Sequence, residues 1–234
     1  MLGVIGGVGP WVTQELYRMI NSEVRADGRG RGADLHVANL PIDLAVEQRV
    51  LTGRQSPADE QHLVAGLSRC LGALERIGCD AVAMPCNSLQ PYLDAALRQV
   101  PLPNISPAAA AAAAVRRRGF EEVLLISTRT TLQMRLYHDQ LPAVRVRECP
   151  EELARSMVDY SVRGGEDDAG VLGSDAETIA RLARAVAEQM EGRPGAVLLG
   201  CTDLGMFLEP LQALGVPVID SLTEQTGACA EFAR

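Results

Sequence analysis

The sequence predicts an α/β fold of two pseudo-symmetric lobes, each a parallel sheet flanked by helices, with a cleft between them. Three observations predict it. Short apolar runs alternate with segments of helical spacing, and no hairpin signals interrupt the alternation. Two of those runs match. Ala81-Val82-Ala83-Met84-Pro85-Cys86 and Ala196-Val197-Leu198-Leu199-Gly200-Cys201 each follow a glycine-containing turn. Each closes on a cysteine, followed by two small or polar residues and then leucine. The two cysteines stand 115 positions apart in 234 residues, close to half the chain. Apolar runs of this length, bounded by turns, fit strands buried on both faces, and ligands of open parallel sheets gather at the carboxyl ends of such strands.

The chain is long enough for one large α/β domain or two small ones, and 47% apolar against 22% charged residues is an ordinary globular balance. An aromatic share of 3% argues against a base-stacking platform, and a net charge of −8 against a polyanion-binding surface. No nucleic-acid partner is expected. No apolar stretch approaches the ~18–20 residues that span a bilayer, so no membrane partner is expected either. The start, Met1-Leu2-Gly3-Val4-Ile5, lacks a charged leader region, which points to a cytoplasmic protein. In that setting the six cysteines are expected as free thiols.

Taken in order, Leu2–Ile5 reads as a strand, Gly6-Gly7-Val8-Gly9-Pro10 as a tight turn, and Thr13–Arg25 as a helix with Leu16, Met19, Ile20 and Val24 inward. The turn lacks a G-x-G-x-x-G pattern, so glycines near a small ligand are a better reading than a dinucleotide site. Asp34–Asn39 is a second strand, followed by a loop and a polar segment holding Arg49 and Arg54. Ser56-Pro57 opens a helix that runs to about Ile77. After the first cysteine strand come a helix over Tyr92–Val100 and a short strand within Pro101–Ser106, the expected crossing between lobes. The second half repeats the order. Ala108–Arg118 is a helix and Glu122–Ile126 a strand that ends in the hydroxyl-rich loop Ser127–Thr131. Val144–Arg147 is a short strand, and Glu151–Val162 a helix broken at Gly164-Gly165. Ser174–Glu191 is a helix with a capping box of Ser174 and Glu177. The second cysteine strand follows, then the strand Val216–Asp220 and a closing helix. The lobes are expected as residues 1–103 with 210–234, carrying Cys86, and residues 104–209, carrying Cys201.

Cys70, Cys79, Cys149 and Cys229 need no role beyond filling a core. Cys86 and Cys201 differ, because the polar residues after them imply a cleft. No metal is expected there, since C-x-x-C spacing is absent and His36, His62 and His138 are scattered. A thiol hydrolase needs one cysteine with a histidine and leaves the second thiol unexplained. A redox pair remains open. Two thiols across a small cleft also suit proton transfer between the faces of a carbon, one as thiolate and the other as thiol.

The three segments Gly6-Gly7-Val8-Gly9-Pro10, Met84-Pro85-Cys86-Asn87-Ser88 and Gly200-Cys201-Thr202-Asp203-Leu204 resemble, in order and spacing, the aspartate/glutamate racemase family, and within it the aspartate racemase branch. The resemblance covers nearly the whole chain. It implies an amino-acid racemase that uses no pyridoxal phosphate or other cofactor, commonly a homodimer, acting on a small carboxylate substrate. Aspartate comes first, then glutamate or a related acid. By the same resemblance Cys86 and Cys201 are the catalytic bases. Gly9, Asn87, Ser88 and Thr202 line the substrate site. Arg49, with Arg54 as fallback, grips the side-chain carboxylate. Thr128 and Thr130 stand for the hydroxyl loop of the second lobe, and Arg163 for a lysine that contacts the substrate acid. Several positions depart from the pattern: Ser88 for threonine, Gln90 for histidine, Asp203 for glutamate, Arg163 for lysine, and the bulky Trp11. Arginine and lysine are not interchangeable in geometry. The alternatives are an isomerase or epimerase of another carboxylic acid on the same scaffold, or a non-catalytic acid-binding or redox-sensing protein.

Overall fold

The computed structural model describes residues 1–26, 28, 32–163 and 176–234. The expected break at Gly164-Gly165 and the capping residue Ser174 lie outside these residues. In the first half, β1 (Leu2–Gly6) leads to α1 (Pro10–Ala26), β2 (Leu35–Asn39), α2 (Leu44–Leu51), α3 (Pro57–Arg76), β3 (Ala81–Ala83) and α4 (Gln90–Leu97). The second half runs α5 (Pro107–Arg117), β4 (Glu122–Ile126), α6 (Arg129–Gln133), α7 (Leu136–Gln140), β5 (Arg145–Glu148), α8 (Glu151–Arg163) and α9 (Ala176–Met190). It closes with β6 (Ala196–Leu199), a 3-10 turn (Thr202–Phe207), α10 (Leu208–Ala213), β7 (Val218–Asp220) and α11 (Ser221–Phe232).

Among the described residues the strands form two parallel sheets, ordered β2-β1-β3 and β5-β4-β6-β7. Period-two alternation sends apolar side chains to both faces of each sheet. In the first, Leu2, Val4, Ala81 and Ala83 face α1 and α11, while Ile5 and Val82 face α3 and α4. In the second, Leu124, Ile126, Val197 and Leu199 face α8 and α9, while Val123, Leu125, Ala196 and Leu198 face α5 and α7. Local chemistry fixes the helix starts. Ser56 caps α3 in a reciprocal box with Asp59, with Pro57 in the first turn, and Ser106 caps α5. The polar segment before α3 is itself helical: α2 starts at Asp43, whose carboxylate accepts from Ala45 N at 2.7 Å.

The two sheets are equivalent to the last position. Beside β3, where β7 stands in the second sheet, the chain makes a single bridge, Val82 to Asn104. From there the chain crosses. α5 leaves the first sheet and packs its buried alanines against the second, and α11 leaves the second sheet and packs Leu222, Cys229 and Ala230 against the first. The two crossing helices pack on each other, and Arg117 and Arg118 both pair with Glu224 at 3.0 and 2.8 Å. This corrects the expected lobe boundary. Residues 210–220 stand with the second sheet, because β7 hydrogen-bonds to β6, and only the closing helix returns to the first. Sheet membership of a three-residue strand is set by its partner, not by its own sequence. All six thiols are buried and unpaired. Among the described residues no helix is long and apolar enough to cross a membrane.

Candidate active site

The carboxyl ends of β1, β3, β6 and β7 open onto one cavity of about 890 Å³ between the sheets. Each strand delivers one short segment to it. Past β1, Gly7 and Gly9 take left-handed backbone angles (φ 94° and 59°) that let the chain turn directly into α1. Gly7 has no room for a side chain, since a Cβ would lie 2.4 Å from the Leu40 carbonyl oxygen. We expect Gly7→Ala to cost about 3 kcal/mol, lowering the melting temperature by roughly 6–12 °C. A calorimetric scan unchanged within a degree would contradict this.

Cys86 and Cys201 line the cavity from the ends of the equivalent strands β3 and β6, only 8% and 5% exposed. Burial pushes the Cys86 thiol up to about 12, and the charges of Asp203 and Glu47 raise it further. The backbone N–H groups of Leu89 and Ser88 oppose this by pointing at the sulfur. Cys201 is raised by burial, by Asp203 and by Cys86 itself, and the N–H of Asp203 works the other way. Its thiol donates to Asp203 Oδ2 at 3.5 Å. Both sulfurs are therefore thiols at rest, and each already has the amide dipoles that a thiolate needs.

Gly9 lines the cavity, and its N–H donates to Glu47 Oε1 at 3.2 Å. Asn87, Ser88 and Thr202 line it as well, but their polar groups also tie the lobes together. Tyr137 OH donates to Asn87 Oδ1 at 3.0 Å, and Asn87 Nδ2 donates to Ser221 at 3.2 Å. The Ser88 hydroxyl bonds Thr128 Oγ1 at 2.8 Å. The Thr202 hydroxyl donates to the Pro85 carbonyl at 2.8 Å, joining one cysteine loop to the other. Gln90, where the resemblance calls for histidine, donates to the Cys86 and Met84 carbonyls at 3.0 and 3.2 Å and anchors the first cysteine loop.

Other expected residues are not brought to the cavity wall. Thr128 and Thr130 are not on the cavity wall. Thr128 caps α6 and meets Ser88 from behind, and the Thr130 hydroxyl donates to the Val50 carbonyl. Arg49 is held away from the cavity by a two-point pair with Asp59, Nη2 to Oδ1 at 2.7 Å and Nε to Oδ2 at 3.0 Å. The guanidinium holds the Asp59 carboxyl far below the usual carboxylate range. Arg54 is exposed and also off the wall. Arg163 ends α8, next to the wall residues Ser161 and Val162, and its side chain lies outside the described residues. Accordingly, Arg49→Ala should lower the melting temperature and leave KM for any amino acid turned over within about twofold. A rise in KM of about tenfold or more would restore Arg49 as a substrate clamp.

Sequence reasoning missed Glu47, Asp220 and Tyr137. Glu47 sits on a helix read as a polar segment. Asp220 ends β7 on the cavity and caps α11, accepting from Thr223 N and Oγ1 at 3.0 and 2.7 Å. Its place in Val218-Ile219-Asp220-Ser221, an apolar strand closing on a capping residue, was the available signal. Tyr137 carries none, since its partner Asn87 is 50 positions away.

The Asp/Glu/Hydantoin racemase family model matches residues 5–229. Aspartate racemase from Picrophilus torridus shares 20% identity and superposes with a TM-score of 0.77, over 99% of this chain and 93% of that one. A putative Asp/Glu racemase from Yersinia pestis shares 23% identity with a TM-score of 0.74, over 99% and 98% of the two chains. An aspartate racemase homologue from Pyrococcus horikoshii shares 23% identity with a TM-score of 0.72, over the same shares. The two-sheet architecture is thus that of these racemases, and the match over nearly the full chain places the protein in the Asp/Glu/hydantoin racemase family.

Proposed function

We propose that the protein is a cofactor-independent amino-acid racemase in which Cys86 and Cys201 are the two bases. The observation that supports this most is that both sulfurs reach one cavity from the ends of pseudo-equivalent strands, so that they approach a bound molecule from opposite lobes. In one direction Cys86, as thiolate, takes the Cα proton and becomes a thiol. The electron pair left on carbon is delocalised into the adjacent carboxylate, and the Cys201 thiol gives its proton to the opposite face and becomes a thiolate. The reverse reaction exchanges the roles. Raised thiol values suit this cycle only if something promotes one ionisation. The N–H groups of Ser88, Leu89 and Asp203 supply part of that, and a substrate ammonium entering among the carboxylates supplies more.

Both bases belong to one chain, so this reading places no demand on a second subunit. Aspartate and glutamate are the first substrates to test, because the neighbours carry those names. The test is proton NMR of Cα–H loss in D2O, with the reduced enzyme and a panel of L- and D-amino acids. Exchange accompanied by loss of chirality is expected. No exchange on any member, with a Cys86–Cys201 disulfide forming readily, would replace the enzyme by a redox protein.

A further inference from the structure

We propose that Tyr137 is a positioning residue that braces both cysteine loops from behind the cavity and holds Cys86 in place relative to Cys201. The inference rests on the racemase reading and adds to it a residue that stands off the wall. Tyr137 is fully buried on α7, its ring in the core that the second sheet shares with α5. Two of its contacts reach toward the thiols. The hydroxyl donates at 3.0 Å to Oδ1 of Asn87, one position after Cys86. The ring lies against Gly200, one position before Cys201, where a Cβ would be 2.7 Å from Tyr137 Cε2. One rigid side chain thus meets the first cysteine loop through oxygen and the second through carbon.

The Asn87 amide is buried and held at both ends, by Tyr137 at Oδ1 and by Ser221, which accepts from Nδ2 at 3.2 Å. The phenol also faces Ser221, so the three groups form one buried polar cluster joining the first cysteine loop, α7 and α11. Satisfied clusters of this kind rigidify what they join. Burial pushes the phenol well above its ordinary value, so it stays a neutral hydroxyl and acts by position rather than by exchanging a proton. The consequence for the chemistry is local. The Ser88 and Leu89 N–H groups that face the Cys86 sulfur follow Asn87 directly in the chain. Loosening Asn87 disperses them and displaces the thiol, while the Cys201 side keeps the ring against Gly200.

Tyr137→Phe removes the hydroxyl and keeps the ring on Gly200. With the full-length reduced enzyme, Cα–H exchange in D2O and inversion are followed from each enantiomer of the amino acid that exchanges fastest. One enantiomer is deprotonated by Cys201, and it is the one that Cys86→Ser still exchanges. For it, proton delivery by Cys86 becomes slow, and the ratio of exchange to inversion should rise by about tenfold over the parent. For the other enantiomer exchange and inversion should fall together. Ser221→Ala, which takes the second hydroxyl from Asn87, should shift the same ratio in the same direction by about threefold, and it carries the test if Tyr137→Phe does not fold. A merely structural role lowers the folded fraction and scales exchange and inversion alike for both enantiomers, and that result would overturn the inference. The second readout needs no turnover: alkylation by iodoacetamide, followed by mass spectrometry. Tyr137→Phe should slow alkylation of Cys86 by about fivefold and leave Cys201 within about twofold. No slowing at Cys86, or equal slowing at both, also overturns it. If the parent enzyme exchanges no amino acid and Cys86 alone is slowed, the racemase reading falls and the brace stands.

Discussion

Cys86→Ser and Cys201→Ser should each lower racemisation by about 10³-fold or more, the scale of losing a base whose replacement ionises far less readily. Serine is nearly isosteric with cysteine, and both sites are buried within a loop held by other residues: Gln90 on the Cys86 carbonyl, Thr202 on Pro85. The fold should therefore persist, and circular dichroism would check it. The two variants should also fail differently. With Cys86 absent, Cys201 can still abstract a proton from the enantiomer that faces it, exchange that proton with solvent, and return deuterium to the same face. Each variant should then wash deuterium into one enantiomer without inverting it, and the two variants should choose opposite enantiomers. If both favour the same enantiomer, a single base serves both faces. If either racemises at the parental rate, the two-thiol mechanism is wrong.

The placing of both cysteines at strand ends on one cavity was legible in the sequence because it is local. An apolar run that stops at a cysteine, followed by polar residues, is at once a buried strand and its cleft-facing end. The α3 start was legible for the same reason, since Ser56, Pro57 and Asp59 lie within one turn. What escaped depends on partners far along the chain. Arg49 looked like a substrate grip, yet Asp59 reaches it from the first turn of α3. The helix α2 was hidden because its eight residues, with Glu47, Gln48 and Arg49 in the middle, are too few to show a helical period. Thr128 and Thr130 looked like ligand-binding hydroxyls, but they close the seam between the sheets. Nothing local says that β7 joins the second sheet, or that Tyr137 reaches Asn87.

Raising the pH from 9 to 11 should cost the protein about 6–7 kcal/mol of stability, out of the roughly 5–15 typical of a folded chain. The cause is thiols held neutral by burial. Cys86 and Cys229 are pushed up to about 12 and Cys149 to about 11, from an ordinary value of 9.0. Below pH 9 these thiols are protonated in both folded and unfolded chains, and pH has no leverage through them. Above it, the unfolded chain releases protons that the folded chain keeps, so the unfolded state gains about 1.4 kcal/mol per thiol per pH unit. The loss continues until the folded thiols themselves ionise, near pH 11 for Cys149 and near 12 for the other two. Denaturant melts between pH 8 and 11 would measure the slope. Cys149→Ala and Cys229→Ala, neither of them on the cavity wall, should each flatten it by about 1.4 kcal/mol per unit, and an unchanged slope in both would refute the assignment. In the proposed mechanism the same protonation acts with the opposite sign. A mechanism that starts from a thiolate should speed up as pH rises, while the thiols that keep the fold intact weaken it. The useful pH range then closes on the alkaline side by unfolding, before Cys86 is half ionised in the free enzyme.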